Sequence, residues 1–338
     1  MRNLATLLIL VAGCGNVDGP VTIDPTEASS SADGKADGLS TALPDIRCSG
    51  SPSPGAKGSW RHWTSAVTAA LGAPRHRGID LVATASTNPQ TIQGEISYGV
   101  NDKALEDEWV QIYACRSSAW LYIGRALTDG EGRFSLTLTG ASRMPIGERE
   151  FFVSVFGDRT SARFFGVVAP VGAEVAVSDV DGTLTSSENA FPTSLVTGAT
   201  VSAQASAAVA INTLHRRGYP IVYLTARGRT FTGDTRTWLA NNGFTRGALR
   251  LAPTLVTLPG AATVDYKAGA MSSLPLPVTI GVGNRSTDID AYSRVGVDGG
   301  RIFIKLPEFD SEVQSQLDAG AAVGFDSYAE INPVFSGL

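Results

Sequence analysis

Two aspartates, Asp179 and Asp181, stand two residues apart beside Gly182 in the stretch EVAVSDVDGTLTSSE. A carboxylate oxygen can attack phosphorus. A second carboxylate two residues on can protonate the leaving alkoxide and then deprotonate the water that hydrolyses an aspartyl-phosphate. The mostly apolar run before the pair reads as a buried strand, which places both carboxylates just beyond a strand end. The plain alternative is an acidic surface turn, and the rest of the chain has to decide between the two.

Polar groups elsewhere suit the same chemistry. Thr225 follows the apolar run in IVYLTARGR, Asn284 and Asp288 follow another in TIGVGNRSTDIDAY, and Lys267 in DYKAG precedes that second run. Asp179 and Asp288 offer hard oxygens to Mg²⁺, which takes octahedral oxygen ligands and keeps some waters. Thr225 and the backbone N–H groups of the turn through Asp181, Gly182 and Thr183 can hold phosphoryl oxygens, while Lys267 offsets the charge gathering on them. Gly182 reads as a turn residue that allows a conformation or close approach denied to other side chains. Arg285 lies inside the last loop and is a candidate for substrate contact. Arg227 and Arg229 read equally as headgroup contacts and as an exposed surface pair.

These groups need a scaffold that delivers strand ends to one rim. After Ala173 the order becomes strand, loop, helix: EVAVS, the Ala-rich ATVSAQASAAVAINTLHRRG, YPIVYLTA, TGDTRTWLANNG, ALRLA, LPVTIGVG, RIFIKL and SEVQSQLDAG. Apolar strands that do not strictly alternate, separated by helices, predict a mainly parallel α/β sheet covered on both faces, with its working rim beyond the carboxyl ends of the strands. The space between the first two strand-end motifs leaves room for a loop but for no large cap. From Ile79 to Val171 short runs rich in Val, Ile, Phe, Tyr and Thr, broken by Gly and Pro, predict a small β-sandwich. Asp129 and Glu131 in DGEG read as turn residues. Between the two regions and the N-terminus, WRHWTSAVTAAL predicts a short helix with Trp60, Trp63, Val67 and Leu71 on one face.

The chain has 338 residues, 43% apolar and 17% charged, with a formal net charge of −5. That size supports two cores, and that charge gives no basic face for nucleic acid. The opening MRNLATLLILVAGCGN has Arg2, an apolar run from Leu4 to Val11 and small residues before Cys14. This is the layout of a secretory signal segment, too short to span a bilayer, and it resembles the lipobox of bacterial lipoproteins. The resemblance implies lipidation of Cys14, export, and anchoring to a phospholipid membrane, the outer one where the source has two. The remaining cysteines, Cys48 and Cys115, leave one disulfide open. The domain plan is therefore a signal segment over 1–14, a Ser/Gly/Pro/Asp tether over 15–58, a short helix or linker over 59–74, the sandwich over 75–172 and the α/β domain over 173–338.

Taken together, DVDGTLT, YLTAR, Lys267 and GVGNRSTDIDAY resemble the haloacid dehalogenase superfamily of phosphatases, which implies a Rossmann-like parallel sheet. More narrowly, DVDGTLTSSE, GYPIVYLTARGR and GNRSTDIDAYSRVGVDGGRIFIKL resemble the catalytic domain of lipin, a Mg²⁺-dependent phosphatidate phosphatase. The same type of segment occurs in phosphatidylinositol-transfer proteins of the Nir/RdgB kind as a non-catalytic lipid-sensing module. The sandwich is similar to transthyretin-like or immunoglobulin-like modules. The lipin resemblance implies Asp179 as nucleophile, Asp181 as acid/base and backbone metal ligand, Thr225 and Lys267 as phosphate binders, and Asn284 with Asp288 on the metal side. The expectation is thus a Mg²⁺-dependent phosphomonoesterase acting on phosphatidate. The alternatives are a module that binds phosphatidate or another anionic headgroup without hydrolysis, and a phosphatase for a soluble phosphomonoester. Oligomeric state is not legible in the sequence.

Overall fold

The computed structural model describes residues 41–188, 201–253 and 260–338. Cys14 and the rest of the expected signal segment lie outside the described residues, as does most of the expected tether. A β-sandwich precedes an α/β domain built on a parallel sheet.

The sandwich strands are β1 (Arg77–Ile79), β2 (Leu81–Thr84), β3 (Gln90–Glu95), β4 (Ser97–Tyr98), β5 (Lys103–Ala104), β6 (Trp109–Arg116), β7 (Ala119–Leu127), β8 (Arg133–Leu138), β9 (Gly147–Val155) and β10 (Ser161–Ala169). They form a five-stranded sheet in the order β2-β10-β9-β6-β7, a three-stranded sheet β1-β3-β8 and the small pair β4-β5. Inward-facing Ile92, Ile112, Phe134, Phe151 and Val153 fill the space between the sheets, as period-two burial requires. Asp129 accepts from the backbone N–H groups of Glu131 and Arg133, so its carboxylate shapes the turn between β7 and β8.

The tether expected over 15–58 is corrected for its last part. Ile46 donates to the Glu148 carbonyl, Glu148 donates back to Pro44, Gly58 donates to Phe156, and Cys48 is joined to Cys115 by a disulfide. Backbone pairing and a covalent bond thus hold a segment whose Ser/Gly/Pro composition carries little packing signal of its own.

The expected helix forms as α1 (Trp63–Ala70), but its apolar stripe is turned the other way. Trp63, Val67 and Leu71 are 79%, 51% and 60% exposed, whereas Ser65 is buried and Trp60 and Ala69 pack on the sandwich core. The stripe therefore forgoes the roughly 1.5–3 kcal/mol that each Val or Leu contributes when fully buried. The helix is held at its start by the buried Glu108, whose carboxylate accepts from the Arg61 and His62 N–H groups.

The second domain alternates β11 (Val175–Ser178), α2 (Ala207–Arg216), β12 (Ile221–Gly228), α3 (Thr232–Asn241), β13 (Ala248–Ala252), α4 (Ala261–Ser272), β14 (Val278–Gly283), α5 (Ser286–Arg294), β15 (Ile302–Lys305), α6 (Asp310–Asp318), β16 (Val323–Phe325) and α7 (Tyr328–Gly337). Its six strands run in the order β13-β12-β11-β14-β15-β16, each pair parallel. The order reverses between β11 and β14, and such a switch point opens a crevice at the carboxyl ends of the strands. Burial on both faces follows the alternation along β11: Val175 and Val177 enter one core, Ala176 the other. Helix α2 starts later than the Ala-rich pattern suggests. Ala203 pairs with Thr185 and Gln204 donates to the Leu184 carbonyl, so these residues are spent on the loop after β11.

The two domains share a core, because Val82, Phe165 and Val167 of the sandwich pack in one cluster with Val175, Val177 and Val222. Asp80 pins that seam. Its carboxylate accepts from the Phe165 and Leu249 N–H groups and from the Arg236 guanidinium at 2.8–2.9 Å.

Candidate functional site

The switch point brings the loop after β11 against the loop after β14. Asp179 N–H donates to the Val282 carbonyl, which fixes the first loop one residue past the strand. Gly182 has φ +69°, and a Cβ there would collide with the Asn284 amide; glycine is required both for the left-handed turn and for the close approach of the loops. The Thr183 hydroxyl ties them together, donating to Asp179 Oδ2 at 3.0 Å and to Asn284 Oδ1 at 3.1 Å. Asp288, in the first turn of α5, turns back so that Oδ2 accepts from the N–H groups of Asn284 and Arg285.

Lys267 arrives from α4 and sits between the two loops. Its Nζ is 2.6 Å from Asp179 Oδ1 and 2.6 Å from Asp288 Oδ1, with all three residues buried. Burial pushes the Lys267 ammonium down, but the charges of Asp179 and Asp288 more than reverse this and hold it well above the ordinary lysine value. Burial drives the Asp179 carboxyl well up; Lys267 opposes that, and Asp288 adds to it. Glu188, further along the first loop, joins the cluster. It accepts from Asn284 Nδ2 at 3.2 Å, and burial raises it to about 7 against that hydrogen bond.

Asp181 faces the other way. Arg227, buried at the end of β12, donates to its carboxylate through Nε at 2.9 and 3.0 Å and through Nη2 at 2.6 Å, and the Thr225 hydroxyl donates to it at 2.9 Å. A group that must take and release protons is here fixed in a charge-assisted clamp. Thr225 also accepts from the Arg227 N–H, so its hydroxyl is engaged within the protein. Arg285 pairs with Glu312 at 2.8 Å and lies over the Phe309 ring at 4.3 Å, so its guanidinium is spent on α6 and the segment before it.

The structure thus gathers Asp179, Lys267, Asn284, Asp288 and Thr183 around Gly182, sets Asp181 and Thr225 beside Arg227, and turns Arg285 to Glu312. Sequence reasoning missed the Arg227 clamp and Glu188. Arg227 stands two residues past Thr225 in a strand, so period-two alternation could have put both side chains on one face with Asp181. Glu188 carries no sequence signal, since only the folding of its loop brings it to Asn284. Among the described residues, no three or more His, Cys, Asp or Glu side chains gather so as to hold a metal ion. Asp179 and Asp288 do share one cationic centre, Lys267 Nζ, and with the Asn284 amide they make a set of hard donors.

A family profile described as the LNS2 domain of PITM 1-3 matches residues 176–305, and one described as the PITM 1-3 β-sandwich domain matches residues 74–168. Membrane-associated phosphatidylinositol transfer protein 3 of Mus musculus is 27% identical over 233 residues, covering 68% of this chain and 23% of the relative. Membrane-associated phosphatidylinositol transfer protein 2 of Homo sapiens is 28% identical, covering 68% and 17%. Protein retinal degeneration B of Drosophila melanogaster is 26% identical, covering 76% and 20%. The chain therefore spans about a fifth of the length of these relatives. Among solved structures, a putative β-phosphoglucomutase from Thermotoga maritima aligns with a TM-score of 0.37 and 11% identity over 49% of this chain and 99% of that one, too low a score to carry an argument.

These findings correct three expectations. The lipin-type phosphatase reading, and with it the hydrolase and its aspartyl-phosphate route, gives way because the mouse and human relatives are named as transfer proteins and the PITM domain profiles match on both halves of the chain. The bacterial lipoprotein resemblance gives way to likeness with animal proteins. The exported, outer-membrane placement is corrected on the same ground, since the transfer proteins are named as membrane-associated. In sequence and in domain order, the chain is similar to the sandwich and LNS2 regions of the membrane-associated phosphatidylinositol transfer proteins.

Proposed function

We propose that this chain is a non-catalytic recognition module whose rim between β11 and β14 binds the phosphate of an anionic phospholipid headgroup, phosphatidate first among them. The observation that carries this reading is the Asp181 clamp: the residue placed to work as acid and base is locked to Arg227 and Thr225. The names of the mouse and human relatives support the lipid class. Thr183, Lys267 and Asn284 carry donors suited to phosphate oxygens, and their present acceptors are the carboxylates of Asp179, Asp288 and Glu188, which a ligand can replace.

A phosphate monoester approaching Asp179, Asp288 and Glu188 meets repulsion that Lys267 alone cannot fully offset. Mg²⁺ suits this place, because Asp179 and Asp288 already turn one oxygen each to a common cation and hard oxygens favour it. Asp179 and Asp288 would hold the ion, and its chemistry would be charge neutralisation beside the phosphate. The chain's own part is to present the donors of Thr183 and Asn284, and to keep Asp181 out of proton transfer.

Co-sedimentation of the full chain with phosphatidylcholine vesicles that contain phosphatidate tests the reading. Binding should exceed that to vesicles with matched phosphatidylserine, and should fall when EDTA replaces Mg²⁺. Phosphate release from phosphatidate in Mg²⁺ would overturn the non-catalytic reading, and equal binding to the two anionic vesicles would overturn headgroup recognition.

A further inference from the structure

We infer that the outer face of α1, with the tip of the β4-β5 hairpin, is a surface that inserts into the bilayer carrying the headgroup. Trp63, Val67 and Leu71 recur every four residues along one side of α1 and are exposed. Val100, at the tip of the adjoining hairpin, is 85% exposed. Three large apolar side chains in one stripe, beside a fourth on a neighbouring loop, form a patch rather than scattered surface residues. Their orientation is built in, since Trp60, Ser65 and Ala69 take the inward positions and Glu108 fixes the start of the helix.

Charge selects the occupant. The chain as a whole is acidic, with a formal net charge of −5, yet from Ile46 to Ile79 it contains no Asp or Glu and carries Arg47, Lys57, Arg61, Arg75 and Arg77. Lys57 and Arg75 are exposed and enter no ion pair among the described residues. An uncharged apolar stripe flanked by free cations matches an anionic lipid surface, where apolar insertion and attraction to headgroups act together.

The patch is also joined to the rim. Gly99 donates to the Ala73 carbonyl just after α1, and Arg75 donates to Ser97. The same hairpin carries Asp102, which accepts from the Thr230 hydroxyl, and Glu95 beside it accepts from Arg229. Arg229 and Thr230 follow directly on β12, whose end holds Thr225 and Arg227. This inference deepens the headgroup reading: the rim would recognise the phosphate while α1 and Val100 hold the module in the membrane.

The test uses the full chain with vesicles of phosphatidylcholine containing phosphatidate, and a Trp63→Ser, Val67→Ser, Leu71→Ser triple variant. Because these side chains are exposed, the variant should keep the thermal transition of the wild type. Its vesicle binding should fall at least tenfold. Brominated phosphatidylcholine should quench fluorescence in the wild type, and that quenching should disappear in Trp63→Phe. Undiminished binding of the triple variant would overturn the inference, as it would leave membrane attachment to other parts of the chain. Absence of Trp63 quenching would overturn it too, as would a wild-type dimer in sedimentation that the triple variant abolishes without loss of vesicle binding. Quenching that persists equally with phosphatidylserine vesicles supports the inserting face while overturning the headgroup reading, so the two failures are told apart.

Discussion

The seam between the domains and the rim of the parallel sheet both bury carboxylates, but they satisfy them differently. At the seam, Asp80 is held by the N–H groups of Phe165 and Leu249 and by Arg236, so each carboxylate oxygen takes one bond from backbone that no ligand can displace. At the rim, Asp179 and Asp288 meet on the ammonium of a single lysine; Asp288 also takes the backbone N–H groups of Asn284 and Arg285, but the Asp179 carboxylate is held by side chains, Lys267 and Thr183. Backbone-satisfied charge fixes a structure, whereas charge satisfied by side chains can be reassigned when a ligand arrives. The difference separates a joint from a site.

The comparison is broken most directly by Asp80→Asn. It should lower unfolding free energy by about 3 kcal/mol, because one of two buried backbone N–H groups loses its acceptor and the half-buried Arg236 loses its counter-charge. Denaturant titration measures this, and headgroup preference in the folded protein should survive. Gly182→Ala comes next. The collision with Asn284 and the strained turn should cost about 1–3 kcal/mol and weaken phosphatidate binding together. Hydrogen exchange should show the loss confined to the loops after β11 and β14. Lys267→Met should reduce vesicle binding more than tenfold while the seam stays intact; unchanged binding would show that the rim is no site.

The smallest effect sharpens the comparison through pH. Burial lowers His76 from 6.5 to about 4, so the unfolded chain binds the proton more readily, and stability from this group rises as pH climbs from 4 to 6.5. Burial raises Glu188 from 4.5 to about 7, so the folded chain binds that proton more readily, and stability from this group falls over pH 4.5 to 7. The two slopes oppose each other. Relative to wild type, thermal melts of Glu188→Gln should rise more steeply with pH between 4.5 and 6.5, and those of His76→Gln should rise less or fall.

Much of the scaffold was legible because it rests on local patterns. Non-alternating apolar runs between helices signalled the parallel sheet, and positions just past those runs marked Asp179, Thr225, Asn284 and Asp288. Lys267 precedes the run TIGVG without marking a strand end itself, and its seat between two carboxylates needs α4 to be placed. The spacing of Trp63, Val67 and Leu71 was visible, but not which way it faces. Periodicity defines a stripe without saying whether protein or solvent covers it.

By itself, the sequence determined the order of a sandwich and a parallel α/β domain, the strand ends that carry polar groups, and the glycine at the turn, because each depends on a few neighbouring residues and their backbone preferences. Only the tertiary structure decided that Asp181 is bound to Arg227, that Glu188 reaches Asn284, that Cys48 meets Cys115 and that α1 turns its apolar side outward. Those pairings join residues distant in the chain or depend on what packs behind an element. Their energies come from burial and geometry that no local stretch contains.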